Sequence, residues 1–246
     1  MKLSYSSLTS FEQCPAKYKY QQIDRIPVVT PDALWYGSLL HSILEEIVKE
    51  YPRLSIQYAL ARLQRNWDNS RFGNLEENFE KFKEAQKIIA DFFKDHFLHA
   101  TENLVSIEEY FKIPYKQKHK IVGKIDRINK TREGQIIITD YKTSKRLPTP
   151  RDLDYDIQLS FYFWAAQHLF PENKGVVLIL HFLKFNKTLK TSRNQKHVDY
   201  LHKRIDSFIE DVQKSDFAPK KNRLCDWCEY KHICPMYSKK PKLFTI

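Results

Sequence analysis

Along the first hundred residues, apolar positions recur at helical intervals. The stretch "YSSLTSFEQCPAKYKYQQI" opens with Ser/Thr caps and sets Leu8, Phe11 and Tyr18 near helical spacing, with Pro15 marking a break or a second helix start. In "ALWYGSLLHSILEEIVKEY", Leu40, Ile43, Leu44 and Ile47 fall on one face, and residues 55–69 and 75–99 continue in the same style. The pattern then shortens and fills with Ile and Val. "VSIEEYFKIPY", "HKIVGKIDRIN" and "GQIIITDYKTS" read as strands, with "TREG" as the turn between the last two. "YDIQLSFYFWAAQHLF" returns to helix, "KGVVLILHFLKF" is a strongly apolar strand, and "HVDYLHKRIDSFIEDVQK" is an amphipathic helix leading into a cysteine-rich loop. Helices, three strands, helix, strand, helix predict an α/β domain with a mixed sheet flanked by helices. No Pro/Gly/Ser linker, repeat or low-complexity segment divides the chain. Residues 1–246 are therefore expected to form one domain: a helical region over residues 1–100, an α/β core over 101–213, and a cysteine loop with a basic tail over 214–246.

Charge sharpens this picture. The net charge is +11 and the pI near 9.3, which suits a polyanionic partner, nucleic acid before a membrane surface. The excess is concentrated: residues 112–146 carry a net +8 and residues 214–246 a net +5. The opening "MKLSYSSLTSFEQC" turns polar at once and no run approaches a membrane span, so a cytoplasmic location is expected. No G-x-x-x-x-G-K-[ST] occurs in the chain, so a helicase motor would have to come from a partner.

Of the four cysteines, three lie in "CDWCEYKHICP" and the fourth, Cys14, is near the other terminus. A chain of 246 residues buries a core without covalent staples, and in a reducing compartment clustered cysteines more often bind metal or do redox work than form disulfides. Cys14 with Cys225-x2-Cys228-x5-Cys234 gives four thiolates, a number that both zinc and an iron–sulfur cluster accept. Spacing alone leaves the two open.

Strand alternation identifies a second candidate site. In "IIITDYKT", Asp140 and Lys142 are two apart and share parity with Ile136 and Ile138, so a core-facing row ends in an acid and a lysine. A hairpin with "IVGKIDRI" brings Asp126 close to Asp140. Two such carboxylates repel unless a cation lies between them, and hard ions such as Mg²⁺ favour these oxygens. The neighbouring lysine is suited to orienting a water or steadying developing negative charge. The plainer reading of Asp140 and Lys142 is a surface ion pair.

Together, "YGSLLHSILEE", "GKID", "ITDYKTSK" and "QLSFYFWA" resemble, in this order, the PD-(D/E)XK nuclease superfamily and most of all its RecB-type branch. That resemblance covers almost the whole chain and implies a restriction-endonuclease-like core. It matches Gly37 and His41 to a Gly-x-x-x-His helix, and Gly123 and Asp126 to a Gly-x-x-Asp strand. It further matches Asp140, Tyr141 and Lys142 to Asp/Glu-x-Lys, and Gln158 and Tyr162 to a Gln-x-x-x-Tyr helix. The implied roles are His41, Asp126, Asp140 and the Tyr141 carbonyl as ligands of one or two Mg²⁺ or Mn²⁺ ions, with Lys142 at the water or the scissile phosphate. Gln158 and Tyr162 would contact DNA or brace the site. Glu108 and Glu109, on the preceding strand, could support the ligands from behind but are not placed among the site residues.

A subset of these nucleases, AddB-type helicase–nuclease domains and CRISPR adaptation nucleases, is similar in its cysteines. The resemblance implies Cys14, Cys225, Cys228 and Cys234 as ligands of a [4Fe–4S] cluster that ties the termini together. The expected activity is that of a metal-dependent DNA nuclease, an exonuclease on single strands or ends in repair or recombination, acting alone or beside a helicase. The alternatives are a CRISPR adaptation nuclease and a non-catalytic iron–sulfur DNA-binding module. Trp35, Tyr36, Phe161, Tyr162 and Trp164 are further candidates, as stacking platforms for bases.

Overall fold

The structure is a computed structural model that describes residues 1–98, 103–116 and 118–238. Its elements, in chain order, begin with β1 (Lys2–Leu3), α1 (Tyr5–Gln13) and α2 (Pro15–Tyr18), the last widening into a π-helical turn at Lys19–Ile23. Next come α3 (Asp32–Glu50), α4 (Ile56–Asn66) and α5 (Leu75–Leu98), then β2 (Leu104–Tyr115), β3 (His119–Lys130) and β4 (Ile136–Lys142). The chain continues through α6 (Pro150–Asp154), α7 (Ile157–Leu169), β5 (Val176–Phe182), β6 (Lys187–Thr191) and α8 (Gln195–Lys214), and its described residues end after a short 3-10 turn at Cys225–Trp227. These elements form two compact units that interleave along the sequence. One comprises Met1–Pro31, Pro114–Val122 and the chain from Gln195 onward; the other comprises Asp32–Ile113 and Gly123–Asn194.

In the unit that carries both termini, Ser4 caps α1 by a reciprocal box: the Ser7 N–H donates to Ser4 Oγ (3.1 Å) and the Ser4 N–H to Ser7 Oγ (2.9 Å). Pro15 opens α2 at its first turn, where a missing N–H costs nothing. The apolar stripe of α8, with Val198, Leu201, Ile205 and Phe208 buried, packs on α1 and α2 through edge-to-face rings, Phe208 to Phe11 at 5.5 Å and Phe208 to Tyr18 at 5.6 Å. β1 joins the first residues of β3 in parallel, Leu3 opposite Ile121.

In the other unit the sheet is mixed. β3 and β4 are antiparallel (Ile128 opposite Ile138), β4 and β5 parallel (Ile138 opposite Leu178), and β5 and β6 antiparallel (Leu180 opposite Leu189); β2 pairs with β3. The parallel step from β4 to β5 needs a crossover, and α6 and α7 supply it. Residues Leu159 to Ala166 of α7 are all buried, as in a helix enclosed on every side. Ile136, Ile138, Leu178 and Leu180 are buried on one sheet parity. Helices α3, α4 and α5 build a cluster from Leu40, Leu44, Ile47, Leu63, Ile89 and Phe92. Each such fully buried side chain contributes about 1.5–3 kcal/mol. Gly123 is a close-approach glycine: a Cβ there would meet the buried Phe111 ring at 2.5 Å.

Two strands, β1 and β6, go beyond the sequence expectation. Two residues are too few to carry a period, and "KTLKT" is a polar edge strand whose pairing depends on its neighbour. Residues 239–246 of the expected basic tail, and residues 99–102 of the expected helix and its continuation, lie outside the described residues.

Candidate active site

All the residues that gather at the site belong to the unit formed by residues 32–113 and 123–194. β4 ends in Asp140 and Lys142, and continuing the β3–β4 register one step past Arg127 opposite Thr139 sets Asp126 against Asp140. α3 brings His41: its Nε2 donates to the Tyr141 carbonyl at 3.0 Å, and its Nδ1 lies 3.5 Å from Asp126 Oδ1. The Tyr141 N–H donates to Asp126 Oδ2 at 2.8 Å, so backbone and carboxylate are locked together. From α7, Gln158 and Tyr162 arrive one turn apart. Gln158 Nε2 lies 3.1 Å from Asp140 Oδ1 and 2.7 Å from the Tyr162 hydroxyl. That hydroxyl is in donor range of Asp140 Oδ1 (3.1 Å) and of the Lys124 carbonyl (3.0 Å). Lys142 Nζ lies between Gln158 Oε1 and Asp140 Oδ2, at 2.7 Å from each.

The start of α7 is fixed by Asp156, which accepts from the Leu159 N–H at 3.1 Å, and by the buried Arg193, which donates to the carbonyls of Leu153 (2.7 Å) and Asp156 (3.2 Å). Gln158 and Tyr162 therefore enter from a rigid helix start. Gly37 is one turn before His41; a Cβ there would reach Thr143 Oγ1 at 3.4 Å, an easily accommodated contact.

Electrostatics reflect crowded carboxylates. Burial pushes the Asp140 carboxyl up to about 6, against the pull of Lys142 and with Asp126 adding to the rise. Burial alone would lower His41, but Asp126, Asp140 and the Tyr141 carbonyl outweigh it and hold its proton to higher pH. Burial and the Asp140 charge raise the Tyr162 phenol. The cluster holds on to protons in the way expected of a site with too much negative charge for its cations.

Glu108, which the strand pattern left out, belongs here. Ligand atoms of His41, Glu108 and Asp126 all lie within 4.8 Å of one another, and among the described residues this is the one His/Cys/Asp/Glu group close enough for a single ion. Glu108 sits on β2 with a left-handed φ of 54° and forms an ion pair with Lys124. A left-handed residue inside a strand re-aims its side chain as a β-bulge does, and nothing in the string "SIEEY" announces it. Glu109 lies apart and accepts from Ser106. The aromatic candidates divide: Tyr36, Phe161, Tyr162 and Trp164 are at most 5% exposed and offer no platform for bases, while Trp35 is partly buried against the α3–α5 cluster.

The four cysteines are in the terminal unit, none paired in a disulfide, and all line one pocket with Lys17, Lys220 and Lys231. The Lys220 N–H points to Cys14 Sγ (3.4 Å) and the Asn222 N–H to Cys225 Sγ (3.3 Å). No helix among the described residues is long and apolar enough to cross a membrane.

An acid–x–lysine strand end thus faces a second carboxylate, with a helix-borne histidine and Glu108 close enough to share one ion. Comparison with known proteins identifies the family: a sequence model of the PD-(D/E)XK nuclease superfamily matches residues 2–235, and the chain belongs to that superfamily. It is 26% identical over 152 residues to a subunit of the ATP-dependent helicase/deoxyribonuclease of Streptococcus uberis, a match that covers 59% of this chain. The match spans 14% of that much longer relative. The fold of this chain is similar to the crystal structure of a candidate exonuclease from Eubacterium rectale, with a TM-score of 0.59 and 17% identity over 98% of this chain and 90% of that one.

Proposed function

We propose that the chain is a Mg²⁺- or Mn²⁺-dependent deoxyribonuclease that hydrolyses phosphodiester bonds of single-stranded DNA or DNA ends, as an exonuclease of repair or recombination. The observation that carries this reading is the convergence of Asp126, Asp140, Lys142 and His41, from three separate elements, on one sheet end. His41, Glu108, Asp126 and the Tyr141 carbonyl are the donors that would hold the ion, with Asp140 facing them across the β3–β4 pair. Their oxygen-rich chemistry fits a hard divalent cation. When bound, such an ion supplies an acidified water and neutralises charge on the phosphate. Lys142, held by Gln158 and Asp140, is positioned as a donor to a phosphate oxygen. Gln158 and Tyr162 keep the Asp140 carboxylate from rotating. The helicase/deoxyribonuclease relative supports DNA as substrate and a helicase as partner.

Asp140→Ala should abolish Mn²⁺-dependent cleavage of single-stranded DNA while DNA affinity stays equal or tightens, since a negative charge facing phosphate is gone. Lys142→Ala should slow cleavage by about 10²-fold or more while metal still binds, because an ammonium is not a ligand. Cleavage at the wild-type rate in both variants would overturn the reading and favour a non-catalytic DNA-binding module.

The same reading assigns Cys14, Cys225, Cys228 and Cys234 to a [4Fe–4S] cluster. In support, the four sulfurs border one pocket among lysines and receive backbone N–H groups. Protein purified without oxygen should be brown and carry about four irons per chain, and Cys234→Ala should lose both colour and stability. Stoichiometric zinc without iron would exclude the cluster.

A further inference from the structure

Opposite the candidate active site, on the other side of the same strands, lies a cavity of about 420 Å³. Strand alternation produces it. Asp126, Asp140 and Lys142 point one way, and Arg127, Thr139 and Tyr141 point the other. The registered pairs Arg127 with Thr139 and Tyr141 with His181 lie side by side on this second face, and Thr188 of β6 closes its edge.

The lining is polar in an unusual way. Arg127 is 9% exposed, yet no carboxylate among the described residues pairs with it; its Nε donates to Asn129 Oδ1 at 2.8 Å. Asn129 Nδ2 is buried with no hydrogen-bond partner among the described residues, and the buried Tyr141 hydroxyl faces Arg127 and donates its own proton to no acceptor among them. Burial raises that phenol, and the nearby Arg127 charge pulls the other way. Asp95, the one carboxylate in the lining, accepts from Asn186 at 2.7 Å rather than from Arg127. A buried guanidinium without a counter-charge, next to two unspent donors, is costly to hold in a folded protein unless an acceptor completes it. The planar guanidinium fork matches an oxyanion, and a hydroxyl and an amide beside it add two further donors. The volume falls in the range of small-molecule sites.

We propose that this cavity binds a small oxyanionic ligand, a phosphate ester or a carboxylate, through Arg127, Tyr141 and Asn129. The ligand rests on the residues that directly follow Asp126 and Asp140 in the chain, back to back with the nuclease site and outside it. The inference does not depend on the nuclease reading, since every group it uses lies on the opposite face.

Calorimetric titration of the full chain tests this with three probes: inorganic phosphate, a deoxynucleoside 5′-monophosphate and succinate. Saturable binding of at least one is expected below about 10 mM, and which one binds separates phosphate from carboxylate sources. Arg127→Met should weaken it at least about tenfold, and so should Thr188→Glu, which adds a carboxylate at an exposed strand position by the cavity. Asp140→Ala should leave it unchanged. Arg127→Met without ligand should melt no lower than wild type, because it removes an uncompensated buried charge; a purely structural arginine would lower the melting temperature. Three outcomes would each overturn the proposal: no saturable binding of any probe, binding that persists in both Arg127→Met and Thr188→Glu, or binding lost in Asp140→Ala, which would locate the probe in the nuclease site. Thr188→Glu keeps the test open should Arg127→Met fail to fold.

Discussion

Glu108 adopts a left-handed backbone that disfavours any side chain but glycine by about 1–2 kcal/mol. That strain directs its carboxylate toward His41 and Asp126. Glu108→Gln keeps the shape and removes the charge. The Mn²⁺ concentration giving half-maximal cleavage should rise about tenfold or more, while the melting temperature barely moves, since its lysine partner Lys124 is largely exposed. An unchanged metal midpoint would remove Glu108 from the ligand set. Asp126, Asp140 and Lys142 were legible in the sequence through strand periodicity, whereas His41, Gln158 and Tyr162 were reached only through the family resemblance. Asp140 and Lys142 share strand parity, Asp126 follows from the hairpin, and Gln158 and Tyr162 are four apart on a helix. Glu108 breaks its strand's alternation, so parity could not reveal it.

Among the elements, α3 and α5 are joined by a half-buried polar knot centred on Glu84. Lys184 Nζ approaches its Oε1 at 2.8 Å, the Tyr36 hydroxyl donates to the same oxygen at 2.9 Å, and Lys81 reaches Oε2 at 3.1 Å. Burial would raise the Glu84 carboxyl, but Lys184, Tyr36 and Lys81 overcome it and hold it below its ordinary value. A carboxyl depressed by folding contributes stability that is fully present above its unfolded value, near pH 4.5, and lost as pH falls through the folded one. Glu84→Gln should therefore cost about 1 kcal/mol at pH 7, discounted for partial exposure. It should also flatten the loss of stability below about pH 4.5, as read from urea melts across pH. Parallel acid limbs in variant and wild type would exclude this role. Element order followed the hydrophobic pattern closely where runs are long, from α3 to α8. It failed at β1 and β6, where pairing partners rather than propensity make the strand, and at the short α6, which rests on the Thr149–Asp152 capping box.

For the whole molecule, the +11 charge is the property that decides what approaches it. In the 112–146 stretch, Lys112, Lys116, Lys118, Lys120, Lys124, Lys130, Arg132, Lys145 and Arg146 are exposed, while Arg127 is buried and Lys142 is half-buried in the site. The sequence excess is thus carried almost entirely at the surface, and the two exceptions are the cations with local chemistry. Exposed cations that neutralise phosphates release counterions, and each such contact adds about 0.9 to the slope of log affinity against log salt. DNA affinity of the cleavage-dead Asp140→Ala protein should therefore fall steeply between low and physiological salt. Charge reversal at Lys118 and Lys120 should weaken binding to all sequences alike and reduce the slope, since phosphate contacts position without reading bases. A salt-independent affinity would mean that these lysines are merely solvated, and that strand recognition belongs to groups nearer the metal site.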